Sequence, residues 1–212
     1  MRLVATLPLV MLIACDGAIT TSPLRIANYF PFDGERTWEF TNTDEAIEHR
    51  LYAVLDPEPL EGDGAPIHRI SYSECPGSGE CDDTTLVREI HWSNDSVEGI
   101  QIWGYETPSG KVDFDPPIFL SFAHMDPGES AVTTTGGADW TGTFHGLDTC
   151  PVTWTTQWGD SCLRFSLEGG SGADAEHLAG EYWAITQYNV VAIDLDAEPG
   201  IWQLSYATWE GN

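Results

Sequence analysis

Five thiols, six imidazoles and 34 carboxylates are the groups in this chain that can carry chemistry. Cys75 and Cys81 flank Pro76-Gly77-Ser78-Gly79-Glu80, a turn-forming stretch that brings its own ends together, and Cys150 and Cys162 flank a stretch that predicts a hairpin. Four cysteines allow three pairings, and the local one, Cys75 with Cys81 and Cys150 with Cys162, is expected. Loops this short stabilise a fold by roughly 2–3 kcal/mol each. A thiolate zinc site wants closer pairs of the C-x2-C type with His nearby, so no metal and no cofactor is expected. His49, His68, His91, His124, His145 and His177 are dispersed, and no H-E-x-x-H occurs. Gly169-Gly170-Ser171-Gly172 lacks the G-x-S-x-G spacing of a nucleophile elbow. Asp194, Asp196 and Glu198 alternate as calcium ligands do. A calcium loop, however, places Gly at position six and Glu at twelve, where this chain has Gly200 at seven and Ser205 at twelve. No catalytic residue is therefore named, and the chain reads as a non-enzyme. A hydrolase whose Ser, His and Asp converge from distant positions is the enzymatic alternative.

Aromatic side chains are the other resource. The chain has nine tryptophans, which either pack a β core or line a concave apolar pocket or interface. Trp103, Tyr105, Trp140, Trp154 and Trp158 are the ligand-binding candidates. Trp140 lies between Gly137 and Gly142, where loops are expected, and Trp103 and Tyr105 flank Gly104, whose missing side chain leaves room for a ligand.

The first residues carry a sharper pattern. Arg2 is followed by an apolar run from Leu3 to Ala14, interrupted by Thr6 and Pro8. At ~1.5 Å per residue that run reaches roughly 18 Å, too short for a ~30 Å hydrocarbon core and of the length of a signal-peptide core. Leu12-Ile13-Ala14-Cys15 then resembles the lipobox of bacterial lipoproteins. The resemblance implies cleavage before Cys15 and acylation of its sulfur and new amino group with palmitate-type chains. Each buried CH2 adds ~0.8 kcal/mol, so two or three chains anchor permanently where one does not. It also implies a division into a signal peptide (1–14), an acylated Cys and tether (15–27), and one domain (28–212), with the membrane as partner through the lipid. Asp16 is the residue that retains enterobacterial lipoproteins in the inner membrane; because that rule is not general, the outer membrane or cell surface is the favoured place in the envelope.

Composition sets further bounds. Cleavage leaves 198 of the 212 residues, one ordinary domain. It also removes Arg2, moving the formal charge from −26 to −27. Such a field repels phosphate backbones, so no nucleic-acid partner is expected. The acids are scattered rather than in one run, which suits a solvated surface better than a sink for cations or basic partners.

The elements that position these groups read as strands. Trp38 and Phe40 share a face, and Leu86, Arg88, Ile90 and Trp92 alternate with Val87, Glu89 and His91. Ile100 and Ile102 oppose Gln101 and Trp103; Val152, Trp154 and Trp158 line one side of a strand; Leu163, Phe165 and Leu167 line the next. Val190–Leu195 and Ile201–Trp209 follow. Turn signals such as Pro108-Ser109-Gly110, Pro127-Gly128, Gly136-Gly137 and Pro199-Gly200 separate the runs. The reading is an all-β, antiparallel, strongly curved sheet or half-barrel with at most one short helix. Thr43–Leu55 fits either a capped helix or a strand; the strand is preferred because Trp38–Phe40 needs a neighbour. Gly172–Gly180 is expected to hold a single helical turn.

Asn28 to Phe40, with Tyr29-Phe30-Pro31-Phe32 and Trp38-Glu39-Phe40, resembles the opening segment of a group of β-rich bacterial lipoproteins. Cys162-Leu163-Arg164-Phe165 and Tyr182-Trp183-Ala184 through Val190-Val191 are similar to later strands of that group, although Gln187-Tyr188-Asn189 stands where the group has Gly-Val-Gly. The group is similar in turn to curved-sheet periplasmic carriers of acyl chains. The resemblance implies a non-enzymatic, lipid-anchored binding module for an apolar ligand or an envelope protein. The alternative is an assembly scaffold without a small ligand.

Overall fold

Alternation along the chain becomes twelve strands among the described residues. In the computed structural model, which describes residues 26–60, 65–77, 81, 84–152, 161–186 and 188–209, a 3-10 turn at Ile26–Tyr29 precedes β1 (Arg36–Asn42), β2 (Arg50–Leu55), β3 (His68–Cys75), β4 (Thr85–Asp95), β5 (Gly99–Thr107) and β6 (Gly110–Phe122). Then come β7 (Ser130–Thr135), β8 (Ala138–Thr149), β9 (Ser161–Gly169), the helix α1 (Ala173–Leu178), β10 (Gly180–Ile185), β11 (Asn189–Leu195) and β12 (Trp202–Trp209). All belong to one antiparallel sheet in the order β6-β5-β4-β3-β2-β1-β12-β11-β10-β9-β8-β7. Every ladder but one joins sequential strands. The exception, β1 with β12, runs from Arg36 opposite Trp209 to Asn42 opposite Trp202 and welds two six-stranded meanders together.

The sheet curls into a nearly closed barrel, further round than a half-barrel. It stays open between β6 and β7, which are consecutive in the chain. The reason lies in β6: Pro116 and Pro117 have no N–H to offer a partner, and proline keeps a strand at an edge. β6 instead packs across β7 and β8. The Phe119 N–H donates to Thr133 Oγ1 at 3.3 Å. At Gly142 on β8, a Cβ would stand 2.3 Å from the Phe119 carbonyl oxygen and 2.5 Å from that of Leu120. Only glycine permits that approach.

Large rings fill the interior. Trp92 on β4 meets Tyr182 on β10 edge-on at 6.2 Å. These strands stand six places apart in the order of twelve, so opposite walls touch. The N-terminal segment supplies a plug. Phe30, fully buried, packs 5.5 Å from Phe165 and 6.3 Å from Trp92. Asn94 Nδ2 donates to the Phe30 carbonyl at 2.8 Å, and Asn189 Nδ2 to that of Pro31 at 3.3 Å. Ile26, two residues ahead of Asn28, is buried too.

Local expectations resolve as follows. Thr43–His49 is a turn held by Asn42 and Asp44 side chains on the Asp44 and Ala46 N–H groups, and β2 follows it, so the strand reading holds in a shorter form. The short helix between Gly172 and Gly180 is α1. Both local disulfides form, Cys75–Cys81 and Cys150–Cys162, with Cα separations of 5.3 and 5.1 Å. Cys15, Trp154 and Trp158 lie outside the described residues.

Candidate functional site

The structure scatters the aromatic candidates. Trp140 is not on a loop: it lies on β8, 1% exposed, with its ring 6.0 Å from Phe114 and its edge closing off the space beside Gly170. Trp103 and Tyr105 point to opposite faces. The register shifts between Ile102 and Gly104, so Trp103 and Gly104 both fall on the outer side. There the Trp103 indole N–H donates to Ser93 Oγ at 2.8 Å, and Ser93 in turn donates to Gln101 Oε1. Tyr105 faces the core. Gly104 admits no ligand, since a Cβ there would stand 2.3 Å from the Val112 carbonyl oxygen. The expected aromatic pocket is therefore not assembled from these three residues. Sequence spacing misses this because a single bulge inverts the faces that alternation assigns.

Polar groups gather instead at the barrel end that α1 covers. The helix is too short to stand alone, and its two faces have different work. Asp174, His177 and Leu178, spaced by three and four, turn inward. Asp174 Oδ1 accepts from the Tyr105 hydroxyl at 2.5 Å, the His177 ring lies 5.2 Å from that of Tyr105, and the Leu178 carbonyl accepts from the Tyr182 hydroxyl at 2.5 Å. Ala175 and Glu176 turn outward, and Ala179, the C-cap, is buried. With Glu168 and Gly169 on β9, Glu181 on β10, and Asp196, they border an open recess of about 520 Å³.

Beneath the inward face lies Arg88. Its side chain is 2% exposed, and it projects from β4 into the barrel beside Tyr72, its β3 cross-strand partner, whose ring centroid is 5.3 Å from the guanidinium. Arg88 Nη1 donates to Glu198 Oε1 at 2.8 Å, while Glu198 Oε2 accepts from the Trp202 indole at 2.6 Å. Arg88 Nε is buried with no hydrogen-bond partner among the described residues.

Electrostatics at this end follow from burial and from Arg88. Burial raises Tyr72 to about 12 against the pull of Arg88. Burial also raises Tyr105, helped by its bond to Asp174, and raises Tyr182. His177 is lowered, first by burial and then by the Arg88 charge. Burial opposes ionisation of Glu198, but Arg88 and the Trp202 and Arg88 hydrogen bonds together hold it below the usual glutamate range. Glu198 belongs to the alternating Asp194-Asp196-Glu198 run; its carboxylate serves a guanidinium and an indole, and no metal-holding cluster of three or more such ligands occurs among the described residues.

A second polar set, on β3 and β4, places Glu89 between the Ser71 hydroxyl at 2.8 Å and His91 Nε2 at 3.1 Å. Both groups bond the carboxylate. A hydrolytic triad needs serine bonded to histidine, so this order does not activate the serine. Compared with family models, curated proteins and solved structures, the chain matches none.

Proposed function

We propose that the chain is a lipid-anchored lipoprotein of the bacterial envelope, tethered through acylated Cys15, whose barrel is a non-enzymatic binding module that works through its exterior. The filled interior carries this reading. An acyl-chain carrier needs a cavity of ~300–1,000 Å³, whereas among the described residues rings from opposite walls meet across the barrel and one interior void, between Trp38, Phe40, Tyr72 and Val190, is about 10 Å³, the room of one water. Of the two occupants that the sequence leaves open, a partner protein therefore fits better than an apolar ligand held inside. The recess beside α1, bordered by Glu168, Glu176, Glu181 and Asp196, favours a partner with a basic surface.

The exported Cys15→Ser chain tests both halves. It is expected in the soluble fraction, with a native mass that carries no lipid adduct and is lighter than the reduced chain by the protons of two disulfides. Retention in the membrane fraction overturns the anchor. A lipid-mass adduct released on collisional activation overturns the exterior-binding reading and restores the carrier.

A further inference from the structure

A buried arginine with a single carboxylate bond is an unusual thing to keep in a β core. The guanidinium is a planar fork of five donors that matches both oxygens of one carboxylate. Here Glu198 offers Arg88 only one oxygen and gives the other to Trp202. Arg88 Nε is left without a hydrogen-bond partner among the described residues, and leaving a buried donor unsatisfied is costly. A pair retained for stability alone is expected to be bidentate or to be replaced by apolar side chains, which often stabilise a core better. The arrangement resembles a recognition site occupied by a substitute.

We propose that Arg88 is a binding site for a small monocarboxylate with a flat or slim apolar body, held closed in this structure by Glu198 as an internal stand-in for the ligand's carboxylate. This site is separate from the partner-binding reading above and does not depend on it.

Three observations carry it. First, Glu198 is the exposed member of the pair: its side chain is 29% accessible, against 2% for Arg88. It sits on the turn between β11 and β12, at the rim of the barrel. The exchange of one carboxylate for another leaves the charge around Arg88 unchanged, so no new ion is buried. Second, the surroundings suit such a body. Tyr72 lies against the guanidinium, Tyr182 and Trp202 stand close by, and burial together with the Arg88 charge favours the neutral form of His177. Third, a short element covers this end. α1 lies between Gly172 and Gly180, both at positive φ, +55° and +149°, and is held to the barrel by the Tyr105 and Tyr182 hydroxyls, by buried Leu178 and by the Asp196 N–H on the Ala179 carbonyl. Its outward side borders the open recess, and displacement of this one helical turn is the route by which the proposed ligand enters.

Benzoate is the probe, titrated calorimetrically into the exported full chain at ~0.15 M salt, where a Debye length of ~8 Å screens the distant acids. The native chain is expected to bind weakly, because Glu198 competes. Glu198→Gln keeps the shape, removes the competing charge and is expected to bind benzoate at least tenfold more tightly. Arg88→Gln/Glu198→Gln removes both charges together, which avoids stranding a lone buried ion, and is expected to lose binding; an unchanged circular dichroism spectrum certifies its fold. Glu198→Gln binding no tighter than the native chain overturns the proposal. So does equal binding by the double variant.

Discussion

His177 shows how little of a residue's behaviour lies in its type. Its ring is inserted beside Tyr105 and near Arg88, and burial followed by that positive charge lowers its pKa from 6.5. The unfolded chain therefore binds a proton at a higher pH than the folded one does. The stability linked to this group is fully present above pH 6.5 and is lost as pH falls below 6.5 toward the lowered folded value. His68, lowered by burial, titrates in the same direction, so the two must be separated. His177→Gln is expected to flatten part of the decline in urea midpoint between pH 7 and 5 and to leave the His68 part; an unchanged slope places His177 in solvent. Glu198 acts lower on the scale. Its depressed pKa contributes stability above the usual glutamate range that is lost in stronger acid.

Among the elements, the β6–β7 seam decides the shape. Two prolines deny β6 a continuous row of donors, so the barrel closes by packing rather than by a ladder. Gly142 is the contact that makes this possible. Its missing Cβ faces backbone oxygens, which cannot rotate away as a side chain does. Gly142→Ala is expected to cost on the order of 2 kcal/mol or more by overpacking, read as a lower urea midpoint with an unchanged slope. Thr143→Ala, one residue on, is half-exposed and loses mainly a side-chain bond to Ser130; it is expected to cost well under half as much. Equal losses at the two positions exclude a close seam. The helix α1 belongs to this scale as well. Six residues form it only because Tyr105, Tyr182 and the barrel mouth receive its inward face.

For the whole molecule, one core spans both meanders. Trp92 and Tyr182 touch across the barrel and Phe30 fills the space beside them, so neither meander has an interior of its own. Unfolding is expected to be a single transition, with far- and near-ultraviolet dichroism coincident. Trp92→Ala is expected to lower stability by about 3–5 kcal/mol without splitting that transition. Two separated transitions, or a Trp92→Ala effect confined to one of them, contradict a shared core. Charge is distributed in keeping with this compactness. Arg36, Arg50, Arg69, Arg88, Lys111 and Arg164 each pair with at least one acid.

Strand alternation, turn residues and cysteine spacing are local properties, and local physics suffices to read them. The all-β class, β2 beside β1, the short helix and both disulfides were legible for that reason. Trp38 and Phe40 stay on one face because the register shift between Glu39 and Phe40 puts its extra residue, Ser205, in β12 and leaves β1 alternating. Tertiary structure alone decided three other matters. A register shift near Gly104 sent Trp103 and Tyr105 to opposite faces. Packing, not loop position, took Trp140 into the core. Arg88 and Glu198, 110 residues apart, became partners only through the circuit of the barrel. Such pairings depend on which distant strands become neighbours, and that depends on how the whole sheet closes rather than on any window of sequence.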